Sequence, residues 1–352
     1  MTETPVTLPR LDNDLLLKAA WGMPIPRIPV WMMRQAGRTD PLYRELREQY
    51  PRPLEEIFLD VDQVVRVSLL PQRIGVDAII VFQDILTPLS PLGAPFRFCP
   101  GPVLDTPIVS RSQVKSLRFL DPETDVPVVG KSLRNIQREL HGALPLLGFA
   151  GAPMTLAFFM IAGKSPGHQI PEILKFIREN TEMIDSLMDH LTVMTIDYLN
   201  YQIDNGAHAV QLFESFADVL PRDIYERHVQ PTHQRIFAGL KPQAPGILFT
   251  KECSFVDLML QSGARVMSVG SCVQLDQAMA QSQPEIVFQG NVDNRLLMEG
   301  THEDIDAAIQ QCFAQTQKKR HILNLNHGLL PQTPFENVTY FVERAKTLGV
   351  IS

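Results

Sequence analysis

Short apolar runs, each followed by a polar or glycine-bearing end, recur along the whole chain. They are IPVWMM (28–33), DAIIVF (77–82), LPLLGF (144–149), AVQLF (209–213), PGILF (245–249), RVMSV (265–269), EIVFQ (285–289) and HILNL (321–325). These runs are continuous rather than alternating, which suits strands covered on both faces, as in a parallel sheet. Between them, apolar residues recur at three- and four-residue spacing, the mark of amphipathic helices. Pro171 to Asn205, Ser254 to Ser262, His302 to Gln317 and Pro334 to Thr347 read this way. Leu86 to Pro127 is proline-rich without clean periodicity and reads as an extended excursion. Eight strands alternating with helices predict an α/β fold, a single (β/α)8 TIM barrel with an N-terminal helical extension, rather than an open doubly wound sheet. No Gly/Ser-rich linker or low-complexity block divides the chain, so residues 1–352 read as one domain.

In such a barrel the chemistry sits where strands give way to the loops that follow them. Arg34 and Arg38 come after the first run, and Gln83 and Asp84 after the second. Glu214 and Ser215 follow the fourth run, and Lys251 and Glu252 the fifth. Asn291 and Asp293 follow the seventh, and Asn324, Asn326 and His327 the eighth. Each has a plain alternative. Asp84 suits a turn or helix cap, Ser215 a cap, and His327 before Gly328 a turn. The richest stretch is PVWMMRQAGRTDPLYRELR (29–47), with Arg34, Arg38, Arg44 and Arg47 close together. Guanidinium forks after an apolar strand suit carboxylate or phosphate, although a solvated basic loop has the same composition.

Composition narrows the classes. With 32 basic and 39 acidic residues the net charge is −7, against sequence-independent nucleic-acid binding. Any positive potential must therefore be local, and the arginine segment is the candidate. The N-terminus lacks a signal-peptide pattern, and no apolar run is long enough to span a bilayer. Cys99, Cys253, Cys272 and Cys312 form no CxxC and read as ordinary thiols of a reducing cytoplasm. Gly148 to Pro153 spoils a dinucleotide fingerprint, and neither a P-loop nor a GxSxG elbow is present. An arginine-lined pocket with one central carboxylate suits a polycarboxylate that also carries N–H donors or develops cationic character.

PVWMMRQAGR closely resembles the N-terminal signature of the uroporphyrinogen decarboxylase family, and GFAGAPMTLAFFMIAGK (148–164) is similar to its second signature. DAIIVFQDIL, QLFES, QGNVD and NLNHGL resemble further family blocks in the same order, so the likeness runs from about Asp14 to Gly349. The resemblance implies a single-domain barrel, usually a homodimer, that converts uroporphyrinogen III to coproporphyrinogen III without metal or organic cofactor. It implies that Arg34 and Arg38, with the Gln35-Ala36-Gly37 backbone, hold substrate carboxylates, and that Arg47 adds to the clamp. Asp84 would accept hydrogen bonds from the pyrrole N–H groups, and Ser215 and His327 would contact carboxylate arms. Asp84 and Arg34 would be the catalytic pair.

Several positions depart from the family pattern. Phe159 stands where a tyrosine is usual and removes a hydrogen-bond donor. Thr39-Asp40 replaces an aromatic-apolar pair, Met154 an aromatic, Ala162 an acidic residue and Gln83 a serine. Gly270-Ser271 replaces Asp-Trp, Asn294 a proline, and Asn326 a glycine. Drift around an intact charged set explains these, and a paralogue with a changed substrate is the sharper alternative. A corrinoid-linked methyltransferase would need a Cys/His zinc set that the spacing lacks, and a non-catalytic tetrapyrrole carrier would be consistent with Phe159.

Overall fold

The computed structural model describes residues 8–351. Nine strands are named in chain order: β1 (Ile79–Ile80), β2 (Phe96–Phe98), β3 (Pro102–Leu104), β4 (Leu146–Gly151) and β5 (Ala209–Glu214), then β6 (Gly246–Thr250), β7 (Val266–Ser268), β8 (Val287–Gln289) and β9 (His321–Ile322). Among the described residues, seven of them form one parallel sheet in the order β1-β4-β5-β6-β7-β8-β9. The remaining two, β2 and β3, make an antiparallel hairpin. Sequential neighbours paired in parallel are the product of repeated strand–helix–strand crossovers.

The first apolar run closes the ring. Val30 makes a parallel bridge to Leu323 just beyond β9, the Leu323 amide donates to Pro29 (2.9 Å), and the Asp77 amide ahead of β1 donates to Val30 (2.8 Å). Counting this segment, the expected eight-stranded barrel is present. Every residue of β4 and β6 is buried, which is why these runs show no polar alternation.

Helices occupy the intervals. The long stretch after Pro171 forms two, Ile170–Glu179 and Thr181–Asp204, broken at Asn180. His302–Thr316 begins with a capping box in which Thr301 and Asp304 satisfy each other's amides, and Phe335–Leu348 follows β9. The helix expected over Ser254 to Ser262 is only Val256–Met259. Gly263, with φ +84°, turns the chain directly into β7 and leaves room for little more than one turn. The proline-rich excursion contains the β2–β3 hairpin and short helices, not simply extended chain.

The N-terminal helix Leu15–Ala20 lies at the end of the barrel opposite the site, where Asn13 Nδ2 donates to Asp77 (2.8 Å) and Arg265 donates to the Trp21 carbonyl (3.3 Å). Arg27 forms a two-pronged ion pair with fully buried Asp77 (2.6 and 2.7 Å), whose Oδ2 also accepts the Val30 amide (2.8 Å). This one carboxylate ties the extension, the first barrel segment and β1 together.

Candidate active site

The carboxyl ends of the strands surround a cavity of about 460 Å3. Its first wall is the turn after residue 33, and local sequence explains its shape. Arg34 lies in the left-handed region (φ 59°) and Gly37 does also (φ 76°). Only glycine fits at 37, since a Cβ there would run into the Phe82 ring. Gln35 staples the turn from inside: its Oε1 accepts the Met32 amide (3.1 Å) and its Nε2 donates to the Ala78 carbonyl (2.8 Å). The amides of Ala36, Gly37 and Arg38 meet no acceptor among the described residues, so the turn presents N–H groups as well as guanidiniums.

Arg34 and Arg38 both line the cavity, and neither has a carboxylate partner among the described residues. Burial lowers the Arg38 pKa from its ordinary value. Gly328 lies beneath Arg34, whose side-chain carbons occupy the space where a Cβ would stand. Two guanidiniums without carboxylate partners among the described residues, converging on one cavity, make a candidate anion site.

Asp84 follows β1 and lines the same cavity. One oxygen accepts the Leu86 amide (2.8 Å). No cation of the chain pairs with it among the described residues, and burial raises its pKa to about 6. Phe82, Phe149 and Phe213 share the cavity wall, giving apolar surroundings in which a bare carboxylate interacts strongly with any cation brought to it.

Ser215 also faces the cavity; its amide donates to Thr155 Oγ1 (2.7 Å), and Thr155 donates to Glu214 (2.6 Å). Glu214 itself is fully buried near His233 (3.4 Å), behind the cavity wall. His327 lines the cavity against Phe249, ring centroids 5.7 Å apart. Burial, then Lys251 and Arg38, lowers its pKa to about 4, so the ring is neutral at neutral pH. Phe159, packed against Phe216, brings an edge with no hydroxyl.

Of the sequence-derived set, Arg34, Ala36, Gly37, Arg38, Asp84, Phe159, Ser215 and His327 converge on the cavity. Two do not. The Gln35 side chain is buried and engaged by the backbone, so its contribution is to hold the turn. Arg47 lies on the helix Pro41–Gln49 and donates to the Arg52 carbonyl (2.8 Å), outside the cavity lining. Thr39-Asp40 serves the fold, since Asp40 caps that helix through the Leu42 amide (2.8 Å) and pairs with Arg73 (3.1 Å). The aromatic rim of Tyr43, Phe58 and Phe98 has no counterpart among the sequence expectations. Tyr43 lies within the arginine signature, whereas Phe98 belongs to the hairpin, for which periodicity offers no signal. Among the described residues no three His, Cys, Asp or Glu side chains gather to hold a metal ion.

Fold and site define a (β/α)8-barrel protein with an anion-binding mouth and one isolated carboxylate. The family model described as uroporphyrinogen decarboxylase matches residues 11–348, and the chain belongs to that family. A uroporphyrinogen decarboxylase of Geobacter metallireducens is 38% identical over 335 residues, covering 94% of this chain and 97% of the relative. One from Synechococcus sp. is 37% identical over 341 residues, covering 95% and 96%. Among solved structures, a methyltransferase from Methanosarcina mazei superposes with a TM-score of 0.76 at 17% identity, covering 97% of this chain and 99% of the other. That likeness concerns the fold alone.

Proposed function

We propose that this chain is a cofactor-independent carboxy-lyase that removes the four acetate carboxyl groups of uroporphyrinogen III to give coproporphyrinogen III. The observation that carries the reading is the isolated carboxylate of Asp84 in an aromatic-walled cavity whose other charged groups are the unpaired guanidiniums of Arg34 and Arg38. Family membership and relatives carrying that activity across nearly their whole length support it.

The chemistry follows from the charges. A proton delivered to the pyrrole carbon bearing an acetate arm turns that ring into a cation. The bond between the arm's methylene and its carboxylate then breaks, and its electron pair neutralises the ring as CO2 leaves. A proton added at the methylene carbon, with loss of the first proton from the ring, leaves a methyl group. One proton is consumed per CO2 released. Asp84 accepts the pyrrole N–H groups and stabilises the ring cation electrostatically. Because burial disfavours its bare charge, the cation relieves a cost that the empty site carries, an interaction strongest when the ring is charged. Arg34 and Arg38 hold the arms in place, and Arg34 orients the carboxylate that departs. Ser215 and the neutral His327 contact further arms.

The enzyme is proposed to act in the cytoplasm as a homodimer, in keeping with the family resemblance; sedimentation of the purified protein tests the second point. No helix among the described residues is long and apolar enough to cross a membrane. The central test is anaerobic incubation with uroporphyrinogen III without added metal, followed by separation of products by carboxyl number. Accumulation of the tetracarboxylate is expected. Binding with no loss of carboxyl groups would leave a carrier, the reading Phe159 favours, and absence of binding would remove both.

A further inference from the structure

Glu252, the second residue after β6, gathers a polar network at the cavity's edge. Its backbone is in the left-handed region (φ 42°), and Gly270 makes that course possible, since a Cβ at 270 would stand 2.6 Å from the Glu252 Cα. Oε1 accepts from the Ser271 amide and hydroxyl (both 3.0 Å) and from Asn326 Nδ2 (2.8 Å); Oε2 accepts the Cys272 amide (2.9 Å). Burial pushes this carboxyl's pKa up, but the Cys272 and Ser271 amides with the Asn326 and Ser271 side chains hold it below the ordinary value, so it is charged at neutral pH.

The network continues into the site. Asn326 Oδ1 accepts the Asn294 amide (2.8 Å), and Asn294 Nδ2 donates to the Gly328 carbonyl (2.7 Å). His327 therefore sits between two residues that are each anchored by hydrogen bonds, while Arg34 lies over Gly328. Neither the His327 ring nor the Arg34 guanidinium is held by a hydrogen bond of its own to the described residues, so the underlying loop sets their positions. The Gly270-Ser271 pair, Asn294 and Asn326 lie tens of residues apart in sequence, and each departs from the family pattern; in space they form one connected unit.

We propose that Glu252 is a positioning residue: through Asn326 and Asn294 it fixes the 326–328 loop so that His327 and Arg34 are preset for a carboxylate arm. Charge-assisted hydrogen bonds hold a loop more firmly than neutral ones, and preset ligands bind without an ordering cost. This rests on the reading of the cavity as a polycarboxylate site.

The test compares wild type, Glu252→Ala and Glu252→Gln in the full-length protein. Glutamine keeps one oxygen for Ser271 and Asn326 but loses the acceptor for Cys272. For Glu252→Ala, KM for uroporphyrinogen III should rise about tenfold, with a smaller fall in kcat of about threefold because Arg34 also orients the departing carboxylate. Glu252→Gln should recover KM to within about threefold. The His327 imidazole resonances in 1H–15N spectra should shift in the alanine variant and return in the glutamine variant. A folded Glu252→Ala protein with unchanged KM and an unmoved His327 signal overturns the proposal, as does loss confined to kcat. Should Glu252→Ala fail to fold, Asn326→Ala cuts the same link and is expected to raise KM in the same way; an unchanged KM there is equally adverse. If the wild type neither binds nor converts the porphyrinogen, the polycarboxylate reading falls, and the His327 spectra alone decide for or against the positioning role.

Discussion

At neutral pH Asp84 is largely ionised, although burial lifts its pKa to about 6 and no cation of the chain neutralises it among the described residues. Such a group is held at a cost to the fold, which marks a functional-site candidate and suits the role proposed for Asp84. Replacing it by asparagine should lower turnover by at least about a hundredfold, the scale of removing one preorganised electrostatic group, while thermal melting stays at or above the wild-type temperature. The sign of the pH effect follows from the direction of the shift. A carboxyl whose folded pKa is raised favours the fold in its neutral form; that contribution is whole below about pH 3.8 and is lost as pH rises through about 6. Asp84→Asn should therefore gain stability relative to wild type as pH rises from about 3.8 to about 6, and keep that advantage unchanged at higher pH. In wild type, kcat/KM should fall on the acid side with an apparent pKa near 6, measured with substrate ionisation accounted for. His327, at about 4, does not titrate in that window, so a limb near 6 that persists in Asp84→Asn would take the assignment away from Asp84.

Among the secondary elements, the strand runs are readable because burial on both faces removes polar alternation, and β4 and β6 are buried throughout. Helices with strong local signals are equally plain. His302–Thr316 has its capping box written into Thr301-His302-Glu303-Asp304. Thr301→Ala should cost about 1 kcal/mol in chemical denaturation, the usual worth of such a cap, with turnover unaltered because the cap is remote from the cavity lining. The β2–β3 hairpin is not readable. Its strands are three residues each, so the single alternation of Phe96, Arg97 and Phe98 is too short to stand out in a proline-rich loop, and Pro102 weakens the signal of the second strand. Arg47 shows the same boundary: residue type and neighbourhood fit an anion clamp, but it lies on the helix Pro41–Gln49 outside the cavity lining and donates to the Arg52 carbonyl.

Over the whole molecule, closure of the barrel depends on a residue far from the chemistry. Asp77 is fully buried and accepts from Arg27, Val30 and Asn13. Asp77→Ala leaves a largely desolvated guanidinium and an unpaired amide where the first segment meets β1. A loss of about 3–5 kcal/mol is expected by denaturant titration, the range for breaking one partner of a buried pair. A loss under about 1 kcal/mol would show that strand pairing alone closes the ring. The acidic chain and the basic cavity are reconciled here too: surface cations such as Arg178 and Arg344 pair with Asp223 and Asp306, whereas Arg34 and Arg38, without carboxylate partners among the described residues, converge on one cavity.

By itself the sequence determined the number and order of the barrel strands, most of the longer helices between them and the chemical types at the strand ends, because these follow from local periodicity and from residues adjacent in the chain. Which of those strand-end residues share a cavity was decided only by tertiary structure. Closure brings Arg34, Asp84, Ser215 and His327 together, sends Glu214 behind the wall and leaves Asp84 without a counter-ion among the described residues. The same closure joins Glu252 to Gly270, Ser271, Asn294 and Asn326, which look like scattered drift along the chain and form one connected unit in space. Hydrogen bonds and desolvation depend on distances of a few ångströms between residues tens to hundreds of positions apart, and those distances exist only once the barrel has closed.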